Sequence, residues 1–186
     1  MPQSKILLDS NSYFRLARSI HPLLDIVFGE QQYCLYVLQE LDDEYDKSPV
    51  LKNKFNWVND EKYFQNRRKR LVVSNSQKRE IYLTVEHLKE YKIVCQLGIS
   101  SVDIQCLAQG YVLDIPIATD DIDMLVVAEE FDISTMRTLE LMALMLKCEH
   151  ITMTKIREIA AYWNYIEDKP ANFRKDFKRL FNEDPP

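Results

Sequence analysis

Four acidic residues stand where an apolar run stops or a helix opens: Asp9 in ILLDSN, Glu40 in VLQEL, Asp103 in GISSVDIQCLA and Asp121 in IPIATDDIDM. Carboxylate oxygens gathered at one point suit a hard divalent cation such as Mg2+ or Mn2+. A cation held in this way activates water for attack on a phosphodiester. The chemistry is available only if the elements that carry these four residues end at the same place.

Hydropathy patterning gives those elements. Lys5 to Leu8 is a short apolar run that stops at Asp9-Ser10-Asn11, which predicts a buried strand and then a helix from about Ser12. Tyr33 to Tyr36 reads as a second strand feeding a helix from about Val37 to Asp46, with Glu40 in its first turns. Leu71 to Ser74 reads as a third strand, and Glu80 to Leu97 repeats apolar residues at helical spacing with Gly98 as its C-terminal cap. Ser100-Ser101 opens a helix to about Leu113 with Asp103 in its first turn, where the backbone dipoles favour a negative charge. Ile115 to Ala118 is a buried strand ending at Thr119-Asp120-Asp121. Strand and helix alternate, so the expected fold is α/β with a mostly parallel sheet, whose ligands sit beyond the carboxyl ends of the strands. From Ser134 the pattern is helical only, so residues 1–133 are expected to form the functional domain and residues 134–186 a C-terminal helical extension packed on it.

Composition narrows the function classes. The 186 residues are 46% hydrophobic, enough for a real core, and carry 24 basic against 29 acidic side chains. The mild net charge of -5 argues against a protein that coats nucleic acid over its whole surface. Cys34, Cys95, Cys106 and Cys148 form no CxxC pair and lie in apolar stretches, the pattern of reduced core thiols. His21, His87 and His150 have no zinc-ligand spacing, and three glycines in all leave no phosphate-cradling glycine loop. With no apolar run near 18 residues and no leader-like start, a cytoplasmic protein that does not engage membranes is expected.

The four acidic passages together resemble the PIN domain, the nuclease fold of VapC-type toxins, from about Lys5 to Ile133. The likeness lies in ILLDSN, VLQEL, SSVDIQCLA and IPIATDDIDM with the VVAEEF helix that follows. It implies a three-layer α/β/α sandwich in which Asp9, Glu40, Asp103 and Asp121 bind Mg2+ or Mn2+, with Asp123 as an auxiliary acid. Ser10, Asn11 and Thr119 would then support those acids by hydrogen bonds. It implies hydrolysis of RNA by a metal-activated water, and the toxin role in a toxin-antitoxin pair, with an antitoxin protein or a second copy as partner. The helices after residue 134 are similar to a longer prokaryotic branch of the family, while Gly110-Tyr111 depart from the small helix formers usual there. A PIN-like binding or scaffold module that no longer cleaves, and a PIN-type deoxyribonuclease, are the alternatives. Receiver and dehalogenase-type phosphoryl-transfer domains are disfavoured, because ILLDSNSYF has neither an early acidic pair nor DxDx[TV].

Two further stretches bear on partners. Arg67-Arg68-Lys69-Arg70 follows Trp57, Tyr63 and Phe64, a combination that can track RNA phosphates while an aromatic ring stacks on an unpaired base, or can simply form a solvated surface. Met136, Met142, Met145 and Met153 fit either a helix core or an apolar stripe for a partner helix.

Overall fold

The computed structural model describes residues 3–186. Strand β1, Ser4–Leu8, leads through Asp9 into helix α1, Ser10–Leu16, and β2 is Tyr33–Val37. Helices α2, Glu40–Lys47, α3, Pro49–Lys54, and α4, Glu61–Arg67, precede the long α5, Asn75–Cys95, and α6, Ser101–Leu113. Strand β3, Ile117–Ala118, is followed by α7, Ile122–Glu130, and β4, Thr135–Met136. Helices α8, Thr138–Lys147, α9, Met153–Tyr165, and α10, Phe173–Phe181, complete the described chain. The four strands lie in the order β2-β1-β3-β4 and every pairing is parallel.

Alternation along the strands divides the apolar residues between two faces, as a strand period of two requires. Ile6 and Leu8, with Leu35, Val37 and Ala118, pack under Tyr13 and Phe14 of α1, Met142 of α8, Trp163 of α9 and Phe177 of α10. Leu7, with Cys34, Tyr36 and Ile117, packs under Val85 of α5, Leu107 of α6 and Met124 of α7. Helices thus cover both faces of a parallel sheet, which makes a three-layer α/β/α sandwich.

Gly110 explains one departure of the sequence. A Cβ there would stand 2.6 Å from Cδ1 of the fully buried Ile117 and 3.3 Å from the Ile115 carbonyl. Helix α6 therefore lies against β3 at a distance only glycine permits. Gly110→Ala should lower stability by about 1–3 kcal/mol from overpacking, although alanine is worth about 1 kcal/mol more than glycine within a helix. Urea denaturation checks this, and a gain in stability would mean that the layers can separate freely.

Several expected boundaries shift. Leu71 to Ser74 is not a strand: no strand offers it a ladder, and Leu71 and Val73 pack instead against the cluster under α5. Helix α5 ends at Gln96 in the left-handed conformation, two residues before Gly98. Residues after 133 begin with a strand, because Thr135 and Met136 pair with Ile117 and Ala118 and complete the sheet before the helices start. Met142 and Met145 are fully buried, which assigns the methionine run mainly to the core. Cys95 is exposed and Cys148 half-buried, so only Cys34 and Cys106 are core thiols. Among the described residues no helix is long and apolar enough to cross a membrane.

Candidate functional site at the carboxyl edge of the sheet

The strand order has a switch point: from β1 the chain crosses to β2 on one side, and β3 later adds on the other. The register Leu8↔Val37 and Leu8↔Ala118 brings Asp9, Leu38 and Thr119 to one level at the carboxyl edge. Asp9 caps α1 and is 3% exposed; its Oδ1 accepts from the Ser12 N–H at 2.6 Å and its Oδ2 from the Thr119 hydroxyl at 2.6 Å. The Thr119 Oγ1 in turn accepts from the Asp121 N–H at 3.1 Å, so one hydroxyl joins the ends of β1 and β3. Burial pushes the Asp9 carboxyl up to about 6, against the lowering effect of the Thr119 and Ser12 bonds and with a small addition from the Asp120 charge.

On the β2 side, Asp9, Ser10, Asp103 and Cys106 face one crevice that is too tight for a water molecule. Burial raises the Cys106 thiol well above its ordinary range, and the charges of Asp9, Asp103 and Glu40 add to the effect. Asp103 closes a capping box, accepting from Ser100 N at 2.7 Å while its own N–H reaches Ser100 Oγ at 3.1 Å. Glu40 begins α2, and one turn later Glu44 accepts from the Ser10 hydroxyl at 2.6 Å. Burial raises the Glu44 carboxyl, the Ser10 bond opposes this, and the Asp103 charge raises it further. Both glutamates line a cleft of about 320 Å³ against Ser100 and Ser101.

On the β4 side, Asp121 caps α7 through Met124 N at 2.9 Å. It lines a second cleft, of about 380 Å³, with Asn11, Arg15, Asp120 and Asp123. Asp123 accepts from the Gly98 N–H at 2.6 Å, and this bond fixes the loop before α6. The four acids therefore share one edge of the sheet without lining one open pocket: Asp9 and Asp103 face the closed crevice, Glu40 lines the cleft beside it, and Asp121 lines the cleft on the other side of the Asp9-Thr119 bond. Among the described residues no three His, Cys, Asp or Glu side chains are grouped as ligands of one ion. The oxygen-rich donor set still suits a hard cation, and Asp9 is buried with no cationic partner beside it among those residues.

Three residues escaped the sequence reading. Glu44 lies at i+4 from Glu40, a spacing that puts both on one helix face and was readable as a pair. Asp120, beside Asp121, accepts from Arg15 at 2.8 Å and from the Thr138 hydroxyl at 2.5 Å. Arg15 also reaches Asp168 at 3.3 Å, in the loop between α9 and α10. No local pattern marks a contact across so many residues.

The supporting residues also move. Because α1 starts at Ser10, the Ser10 side chain meets Glu44 and Asn11 turns outward to the second cleft; the support of Asp9 comes from the Ser12 backbone and Thr119. Of the basic run only Arg67 is internal; Arg68 and Lys69 are exposed and Arg70 is half-buried. Arg67 is 1% exposed and donates to Asp42, the Val58 carbonyl and the Tyr13 hydroxyl at 2.8, 2.8 and 3.1 Å, so it is a core residue and not a phosphate contact. Arg70 holds Asp42 at 2.8 Å, and Lys69 pairs with Asp25. Trp57 and Tyr63 are buried and closed to a base, which leaves the exposed Phe64 with the Arg68 guanidinium over its ring.

No family model, no curated protein and no solved structure matches the chain.

Proposed function

We propose that the chain is a metal-dependent endoribonuclease of the PIN type. The observation that carries this is the buried Asp9 carboxyl at the switch point of a parallel sheet, with Asp103, Glu40 and Glu44 on one side and Asp121 on the other. Asp9, Asp103 and Asp121 would hold Mg2+ or Mn2+, with Glu40 and Glu44 placed to complete the oxygen set or orient a water. The cation would supply an activated water and neutralise charge on the phosphodiester oxygens. Thr119 holds Asp9 and the Asp121 backbone in a fixed relation, and Asp120 does not face the same need, since Arg15 and Thr138 satisfy it. The toxin role, and an antitoxin or second copy as partner, rest on the resemblance alone.

A second reading has an observation in its favour. The Asp9-Asp103 crevice is closed, and Asp9, Asp103 and Asp121 all serve as helix-terminal hydrogen-bond acceptors, which suits a binding module built on the same frame. Incubating the purified chain with single-stranded RNA and with DNA of the same sequence, in Mn2+ and in EDTA, separates the readings. Cleavage of RNA only, lost in EDTA and reduced by a factor on the order of a thousand in Asp121→Asn, is the expected result. Equal cleavage in EDTA, or none in any metal, would remove the nuclease reading.

A further inference from the structure

A groove away from the carboxylate edge runs along the edge of β4 that pairs with no other strand among the described residues. It has a volume of about 420 Å³ and is lined by Leu125 and Glu129 of α7, by Ile133 through Arg137 except Ser134, and by Glu140 of α8. In the parallel ladder Ile117 N–H donates to the Ser134 carbonyl and Thr119 N–H to the Met136 carbonyl, at 2.9 Å each. Successive strand residues turn their backbone groups to opposite sides, so the N–H and C=O of Thr135, which is paired in register with Ile117, point away from the sheet into this groove. At its end the Arg137 Nη1 is buried with no hydrogen-bond acceptor among the described residues. A buried charged donor left in that state is destabilising by more than a neutral one. Glu140 does not relieve it, since its two oxygens accept from the Arg137 backbone N–H at 2.9 Å and from Arg179 at 3.2 Å.

We propose that this groove is a docking site for an extended, acidic peptide segment of a partner protein, which adds to the sheet as a strand beside β4. The segment's backbone pairs with Thr135 N–H and C=O, and a carboxylate on it meets the Arg137 guanidinium where it lines the groove. Leu125, Ile133 and Met136 give the groove apolar walls for a neighbouring apolar or β-branched side chain. Glu129, exposed at the α7 rim, repels a second acid placed near it. Two backbone bonds to one residue are weak, so the ion pair and the apolar contact decide which segments bind. The inference stands apart from the nuclease reading, because none of these residues belongs to the carboxylate edge.

The test uses the full chain and a positional library of blocked hexapeptides, read by affinity selection and then by fluorescence polarisation of the selected sequences. Enrichment of Asp or Glu at one position, with apolar or β-branched residues beside it, is expected. Replacing that acid by its amide should weaken binding by a factor on the order of ten. Arg137→Gln should do the same, and Thr135→Pro, which removes only the outward N–H and is tolerated on an edge strand, should weaken binding of every selected peptide. Thermal melts of both variants confirm that they fold. Selection with no acidic preference, or peptides whose binding survives both variants, would overturn the proposal. So would a chain that sediments as a dimer and becomes monomeric in Thr135→Pro, since a second copy would then fill the groove.

Discussion

Asp9→Asn is expected to make the metal-free chain more stable at pH 8 and less able to cleave RNA by a factor on the order of a thousand. The folded carboxyl sits at about 6 against an ordinary value of 3.8, so the folded state binds more protons than the unfolded state between those limits. Stability from this group is fully present below about pH 4 and is lost as pH rises through 6. A tenfold change in proton affinity is worth about 1.4 kcal/mol, so the ionised Asp9 destabilises the fold by roughly 3 kcal/mol at pH 8. Asparagine removes the charge and can still accept from Ser12 N–H. Its amide N–H2 would face Thr119 Oγ1, whose own proton is left only the Met124 sulfur at 3.5 Å, a loss of about 1 kcal/mol. The net gain should therefore be about 2 kcal/mol at pH 8, shrinking and reversing near pH 4. Guanidinium denaturation in EDTA at both pH values measures it, and Mn2+ should stabilise the wild type and not the variant. A gap that does not change with pH would show that Asp9 is ionised in the fold at no penalty.

The second large effect is expected at Arg67, and it is structural. Its guanidinium joins α4 to Asp42 of α2, to the loop carbonyl of Val58 and to Tyr13 of α1, over whose ring it also lies. Arg67→Ala strands the buried Val58 carbonyl and Tyr13 hydroxyl, leaves Asp42 to Arg70 alone and empties the space of a fully buried side chain, and should cost about 3–5 kcal/mol. Arg68→Ala, one residue on and exposed, should stay within about 0.5 kcal/mol of wild type. If Arg67→Ala left stability intact and flattened the salt dependence of RNA binding, the basic run would be a nucleic-acid surface after all.

The difference between these two arginines illustrates what local patterning can reveal. Asp9, Asp103 and Asp121 were legible because a strand stop or helix start is written into a few adjacent residues, and a parallel sheet sends such points to one edge. The α/β class followed from the same alternation. Leu71-Val72-Val73 misled for the converse reason: strand-forming residues make a strand only where a ladder is on offer. β4 was missed because two residues carry no period. The spread of the acids over a closed crevice and two clefts depends on Ser10 opening α1 and on Thr119 bridging β1 and β3, the latter across 110 positions that no spacing rule encodes. The link from Arg15 to Asp120 and Asp168 is invisible for the same reason.

The helices that cover one face of the first strand lie far along the chain from it. Ile6, Leu8, Tyr13 and Phe14 share their core with Met142, Ile159, Trp163 and Phe177. At synthesis rates of about 5–20 residues per second, the apolar side of β1 and α1 waits roughly ten to thirty seconds for the chain that will bury it. During that interval the apolar side chains of β1 and α1 lack the partners that cover them in the finished fold. Asp120 meets Thr138 at the start of α8, and Arg15 meets Asp168 beyond α9, so the carboxyl edge takes its finished form only after those residues have been made.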